Sequence, residues 1–316
     1  INYLVRTLQN KIIMTTFNNR VYGAAIIKSI NSNYNADFSG QPRKLPNGIV
    51  YATDKALKYS IRNYWKAALN EKVFYFKSLS EEMSPRTLDE TYAFHFGDFK
   101  EKDKTKLRLE VLGNILKCLD VKLFGGTYAG KTNISIHGTC QITHGLNKFP
   151  ENVIYSEQIM SPFKNSNEAS ADSTMTTLGT QSRLQEGHYV HHFSVNPKNI
   201  EGDVARTGVE GLTTNDIVKL KEGLRKGATY YDSAAKAGTE NELLLWVQLN
   251  PDSKIVLPSF VSLIDINEDK EIDLSRVNAL LEESHIKPEI EIIEIYYNKS
   301  NTKVIGEPNG AIFIEL

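Results

Sequence analysis

Apolar residues occupy both alternating sets over residues 20–30. Val21, Gly23, Ala25 and Ile27 fall on one face, and Tyr22, Ala24, Ile26 and Lys28 on the other. A strand apolar on both faces belongs in the middle of a sheet. The loop that follows, SINSNYNADFSGQPRKLPNG, is dense in the turn-forming residues Asn, Ser, Gly and Pro. The period then changes to 3.6. Leu57, Ile61, Tyr64, Trp65 and Ala68 share one face of a helix predicted over 53–69, with Thr53 as N-cap. Residues 70–105 form a mixed, aromatic-rich insert. A second helix is predicted over 106–123, carried by Leu109, Leu112, Ile115, Leu116 and Leu119.

Residues 133–144 alternate again. Ile134, Ile136, Cys140 and Ile142 point inward, and Ser135, His137, Thr139, Gln141 and Thr143 outward, which predicts a half-buried strand with a polar outer face. Residues 146–187 hold no firm period and contain the run SNEASADSTMTT, so the stretch reads as a functional or mobile excursion rather than core. A strand at 188–195 follows. The next helix, 214–235, opens on a capping-box variant, Thr213 with Asp216, and places Ile217, Leu220, Leu224, Ala228 and Tyr231 inward. Leu243–Leu249 reads as a strand. IVLPSFVSLI, EIEIIEIYY and GAIFIEL read as further strands, with a helix near 274–284. Without its inserts the order is β-α-β-β-α-β. This is an α+β chain with the ferredoxin-like unit that RNA-recognition folds use.

Composition adds a constraint rather than a class. The 316 residues are 41% hydrophobic and 24% charged with a formal net charge of −1, so any polyanion must be met by a local patch. Such a patch exists. Between residues 38 and 70, Arg43, Lys44, Lys55, Lys58, Arg62 and Lys66 face a single acid, Asp54, whereas residues 260–300 carry ten acids against four bases. Lys55, Lys58, Arg62 and Lys66 fall within about 80° of one another on the helix. Alone, that stripe reads more often as a solvated face than as a ligand site. Together with Arg43, Lys44 and an Asn-rich loop it matches a track for single-stranded nucleic acid. Cys118 and Cys140 have no metal or redox spacing, which fits a reducing cytosol. No run is long enough to span a bilayer. Residues 1–13, ahead of Met14, read as an upstream leader without signal-peptide character.

Several motifs point elsewhere and fail on context. Gly125–Thr132 fits the phosphate-loop expression, but such a loop must leave a strand and open a helix, and here the predicted order is reversed. His188, His191 and His192 cannot converge on a zinc ion from one strand, so strand or surface histidines are expected. The run DINEDKEIDLSR has Lys270 where a calcium loop needs Gly and Arg276 where it needs Glu. No metal, cofactor or catalytic set is expected.

The segment RVYGAAIIKSINSNYNADFSGQPRKLPNGIVYATDKALKYSIRNYWK resembles the first strand, loop and helix of the CRISPR Cascade backbone subunits, the Cas-seven family. The marks are the Asn-rich strand end, Asp37, Pro42-Arg43, Ala52-Thr53-Asp54, Leu57-Lys58 and Ile61-Arg62-Asn63-Tyr64. Gly138-Thr139-Cys140-Gln141-Ile142 resembles the family's Gly-x-x-Gln strand, and Thr177-Leu178-Gly179 before His188-Tyr189 its return strand. The resemblance covers about residues 20–250 and looks like the type I-B subgroup.

It implies a right-hand shape behind a leader at 1–19. The palm is 20–69, 106–145 and 188–316, including a C-terminal extension; the fingers insert is 70–105 and the thumb 146–187. It also implies a cytoplasmic, non-catalytic subunit, repeated along a CRISPR guide RNA and joined to other Cascade subunits, that meets target DNA through the guide. By position, Arg43, Lys55, Lys58 and Arg62 would contact phosphates, Asn31, Asn33 and Gln141 would line the track, and Ile159 or Met160 would wedge a base. Lys44 and Lys66 complete the basic patch. The rival readings are a type III-like subunit that cuts RNA with Asp37, a nucleotide-binding protein, and an assembly protein whose stripe binds acidic protein.

Overall fold

Residues Val21–Ile27 are buried without exception, and the strand they begin, β1 (Val21–Ser32), lies between two others in the computed structural model, which describes residues 15–160 and 178–316. Helix α1 (Asp54–Ala67) follows the short β2 (Tyr51–Ala52). Then come α2 (Leu88–Phe96), α3 (Lys104–Ile115), α4 (Leu119–Phe124), and strands β3 (Gly126–Ala129), β4 (Asn133–Ile136), β5 (Cys140–Ile142), β6 (Gly145–Asn147) and β7 (Ile154–Met160). The long β8 (Leu178–Val195) leads to α5 (Glu201–Thr207), α6 (Thr214–Tyr230) and β9 (Thr239–Leu249). The C-terminal part adds β10 (Asp265–Ile266), β11 (Glu271–Asp273), α7 (Ser275–Leu281), β12 (Ile290–Tyr297), β13 (Lys303–Ile305) and β14 (Ile312–Ile314). The main sheet runs β14-β12-β9-β1-β8-β6-β2, with β5 and β7 also paired to β8. β1 is antiparallel to both neighbours, from Val21↔Val195 to Ser32↔Leu184 and from Val21↔Gln248 to Ser29↔Thr239. Gly23 is required there, because a Cβ would sit 2.3 Å from the Phe193 ring and from Leu245 O.

α1 and α6 cover one face of the sheet. Leu57, Ile61 and Trp65 pack with Leu220, Leu224, Phe193 and Trp246, all essentially inaccessible. The helices approach closely because α6 presents Gly223 and Gly227 to Ile61; a Cβ on Gly227 would lie 3.1 Å from the Ile61 backbone. The Thr213–Asp216 capping box predicted for α6 is present, with both reciprocal bonds made. The opposite face is buried by the C-terminal part through Phe260, Ile264, Val277 and Leu281 against Tyr22, Ile26, Leu245 and Val247. A third core joins Phe74, Tyr92, Val111, Leu112, Tyr128, Ile134 and Ile136 in and around the insert after α1.

Four sequence expectations change. The helix predicted over 106–123 is two helices, α3 and α4, because Cys118 adopts an extended conformation that turns the chain. The turn buries Asp120 completely, where it accepts Phe74 N at 2.8 Å and Tyr75 N at 2.9 Å. The strand predicted over 133–144 splits: β4 forms a hairpin with β3, while β5 joins β8. Thr139, expected on the outer face, is buried and donates to Lys122 O. IVLPSFVSLI is not a strand; it is an irregular segment with one 3-10 turn, Phe260–Ser262, whose Leu257, Phe260 and Ile264 plug the second face. The excursion at 146–187 contains β6, β7 and the start of β8. Its lack of period reflects β7, which is largely exposed on both faces. SNEASADSTMTT falls at 166–177, outside the described residues, as does the leader up to residue 14.

The three histidines of β8 are interior rather than surface groups. His188 Nδ1 lies 2.6 Å from Glu242, His191 Nδ1 lies 3.0 Å from Thr143 O, and His192 Nδ1 accepts Phe260 N at 3.2 Å. Burial pushes both His191 and His192 down to about 4. The unfolded chain takes up protons at these sites below about 6.5 while the folded one resists until about 4. Stability should therefore fall as pH drops from 6.5, by about 2 kcal/mol for each histidine at pH 5. Urea denaturation midpoints between pH 7.5 and 5 measure this; a flat profile would contradict the neutral interior.

Candidate nucleic-acid interface

The loop between β1 and α1 is held by its own polar side chains. Asp37 Oδ1 accepts from Ser39 N, Ser39 Oγ and Gln41 N at 2.7–3.0 Å, and those bonds, led by the serine hydroxyl, lower its pKa. Asn35 Oδ1 accepts from Thr53 N and Thr53 Oγ1, tying the loop to the start of α1. Thr53 thus has the N-cap backbone geometry but makes no side-chain cap. Asn33 is buried, its Nδ2 donating to Gly40 O and Ser182 O. Gln41 Nε2 donates to Ser182 Oγ at 2.6 Å and to Ser156 Oγ at 3.3 Å, which docks the loop on the base of the β7–β8 hairpin. Asn31, at φ +45°, accepts from Tyr155 through Oδ1 and from Arg183 through its carbonyl. The Asn-rich composition is therefore mostly spent on building the loop.

The basic stripe divides in two. Lys55 (81% side-chain exposure, and 2.9 Å from Asp54), Lys66 and Lys44 reach solvent, and Arg43 is half-buried with its guanidinium 5.9 Å from the ring centroid of Phe38. Lys58 is buried and pairs with Asp54 at 3.2 Å; Arg62 pairs with the inaccessible Asp120 at 3.1 Å. This corrects the expectation of four cations on one solvated face. Both charged groups also lie near the ring of Phe124, 5.4 and 5.2 Å from its centroid, so the buried face of α1 is wider than its Leu57–Ile61–Trp65 row indicates. The pattern Asp54-x-x-x-Lys58, an i,i+4 pair, was the available signal.

The other candidates are spread along β8. Gln141 is exposed on β5 opposite Ser194, twelve residues from Ser182, or roughly 40 Å along a strand. Its Nε2 donates to Gly138 O. Ile159 and Met160 are exposed near the far end of β7, opposite Gly179 and Leu178. Being adjacent in a strand, they point to opposite sides. The structure thus gathers Asn31, Asn33, Arg43, Lys44 and Lys55 around one loop and leaves Gln141 and the apolar pair at the two ends of a long track. Two residues at the loop were not anticipated. Phe38 is fully exposed, and Lys236 donates to Tyr34 O at 2.5 Å, burial bringing its ammonium down to about 8.

The Gly125–Thr132 segment forms β3 and the turn into β4, with no helix after it. Asp89 Oδ1 occupies the Lys131 amide at 3.0 Å and accepts from Tyr128, a carboxylate where a phosphate would need to be. Among the described residues no three His, Cys, Asp or Glu side chains are grouped to hold a metal ion, and no helix is long and apolar enough to cross a membrane.

This architecture is shared by solved chains from RNA-guided assemblies. One, from a "CRISPR RNA-guided surveillance complex, pre-nicking", aligns with TM-score 0.56 at 14% identity over 94% of this chain and 96% of that one. Another, from a "CRISPR RNA-guided surveillance complex", aligns with TM-score 0.51 at 15% identity over 91% and 95%. At these identities the likeness is one of fold. The sequence profile of CRISPR-associated protein Cas7 matches residues 19–281, most of the chain, and the protein belongs to the Cas7 family. No curated protein sequence matches it.

Proposed function

We propose that this protein is the guide-RNA-binding backbone subunit of a type I-B-like CRISPR surveillance complex, repeated in several copies along one guide. In this reading β9, β1, β8 and β5 with α1 and α6 are a ferredoxin-like palm, residues 70–105 the fingers, and the β7–β8 hairpin the stem of a thumb. The phosphates of the guide meet Arg43, Lys44, Lys55 and Lys66. Lys58 and Arg62 brace α1 from within, and Asn31, Asn33 and Gln141 shape the track. The observation that carries the reading is the loop at residues 33–50. It presents Arg43 and Lys44, which make no ion pair among the described residues, beside a projecting hairpin, in a chain of the Cas7 family. Such a surface reads backbone rather than base edges, as a protein serving any guide sequence must. The exposed bases then recognise target DNA by pairing. The subunit does no chemistry itself: Asp37 is engaged as a turn acceptor, and its loop lacks a second acid.

Expression in a host carrying the matching CRISPR array and the other complex subunits, followed by purification without nuclease, should recover the protein in multiple copies with RNA of uniform length. RNA-free monomer under those conditions would refute the proposal.

A further inference from the structure

The tip of the β1–α1 loop carries a feature that phosphate binding leaves unexplained. Phe38 is 105% exposed. It is not on a loose segment. Asp37 N donates to Gln41 O at 2.8 Å, Gly40 N donates to Asp37 O, and Asp37 Oδ1 gathers three donors. Gly40 takes the positive φ of +83° that closes the turn, and Gln41 fixes it to the hairpin base. A phenyl ring held fully in water by this many bonds forgoes the transfer free energy of burial and is already ordered for a partner. Beside it, Arg43 Nε is buried without a hydrogen-bond partner among the described residues, and the guanidinium lies 5.9 Å from the ring. Lys44 follows, exposed. An aromatic face flanked by cations fits a nucleobase with its phosphate, because every base offers a π-face and none is selected. An apolar protein pocket would match the ring but not the charges around it.

We propose that Phe38 stacks on a base of the bound RNA strand, with Arg43 holding the adjoining phosphate, so that the loop fixes one nucleotide by its base as well as its backbone. The inference rests on the RNA-binding reading above. The full-length protein is titrated with labelled oligoadenosine RNA, intact or carrying abasic positions. Phe38→Ala should weaken binding to the intact strand by about tenfold and leave the salt slope unchanged, since no cation is lost. Phe38→Leu should behave like Phe38→Ala, whereas Phe38→Trp should bind like the native protein. The indole introduced at 38 should lose fluorescence on RNA addition, against Trp65 and Trp246, which are fully buried. The native protein and Phe38→Ala should bind the abasic strand equally. Full affinity in Phe38→Leu would assign the ring to an apolar protein pocket and overturn the proposal. So would full affinity in Phe38→Ala while Arg43→Ala still lowers the salt slope, an outcome that leaves RNA binding itself intact. A native protein that binds no RNA overturns both. Because the ring touches no core residue, loss of folding is not expected in any variant, and circular dichroism verifies this.

Discussion

Replacing Asp120 with Ala is expected to destabilise the protein by about 4 kcal/mol. The carboxylate is inaccessible and joins three parts of the chain. It pairs with Arg62 of α1, accepts the amides of Phe74 and Tyr75 where the insert begins, and itself opens α4. Its removal leaves a half-buried guanidinium and two amide hydrogens without partners, and breaking such a pair costs more than the pair contributes. Asp120→Asn keeps one carbonyl oxygen for an amide and should cost about half as much. Urea unfolding at pH 7 measures both, a lower midpoint at unchanged m-value being the expected form. A loss below about 1 kcal/mol in Asp120→Ala would mean that the insert is anchored elsewhere.

The second large effect is on RNA affinity. Changing Arg43, Lys44 and Lys55 together to Ala should flatten the dependence of log affinity on log salt by about 2, at about 0.7 per phosphate on a single strand. The same counterion release implies a loss of roughly a hundredfold at 0.1 M salt, alike for unrelated sequences. Lys58→Ala with Arg62→Ala should instead lower stability and leave the slope of the folded protein unchanged, because their side chains are only 9% and 14% exposed and paired with Asp54 and Asp120, whereas Lys55, which also touches Asp54, is open to solvent. The opposite pattern would place the phosphates on the helix face. Losses that vary with sequence would indicate base-edge reading.

The contrast between these two variants marks how far the sequence could be read. β1 was legible because a strand apolar on both faces has only one place to go, and α6 because the Thr213–Asp216 box is a local bond pattern. The loop cations Arg43 and Lys44 were legible for the same reason: a turn-rich segment is on the surface. Lys58 and Arg62 were misplaced since the burial of a helix flank depends on what arrives from elsewhere, here Asp120 and Phe124, fifty-eight residues or more along the chain. The IVLPSFVSLI segment reads as a strand and is irregular instead, because an apolar run declares burial but not conformation. Phe38 carried no periodic signal at all; an aromatic in a polar loop is as often tucked in as presented, and only the geometry of the Asp37–Gly40 turn decides.

The continuity of β8 has a mechanical consequence. At Leu184, which is inaccessible, the strand still has β1 on one side through Ser32 and already has β7 through Ile154 on the other. Between the core and the hairpin the β1 ladder skips Gln185, opposite Asn31, but the Gln185 amide donates to Val153 O at 2.9 Å, so β8 stays hydrogen-bonded across the junction. The described part of the hairpin is a lever clamped in the sheet, and a load on it is borne by the ladder down to Val195. An object resting on that lever is held at an angle set by the twist of the sheet. If copies stack as proposed, each such lever would add the same rotation at every step, and pitch would be a property of the folded chain before any strand is bound.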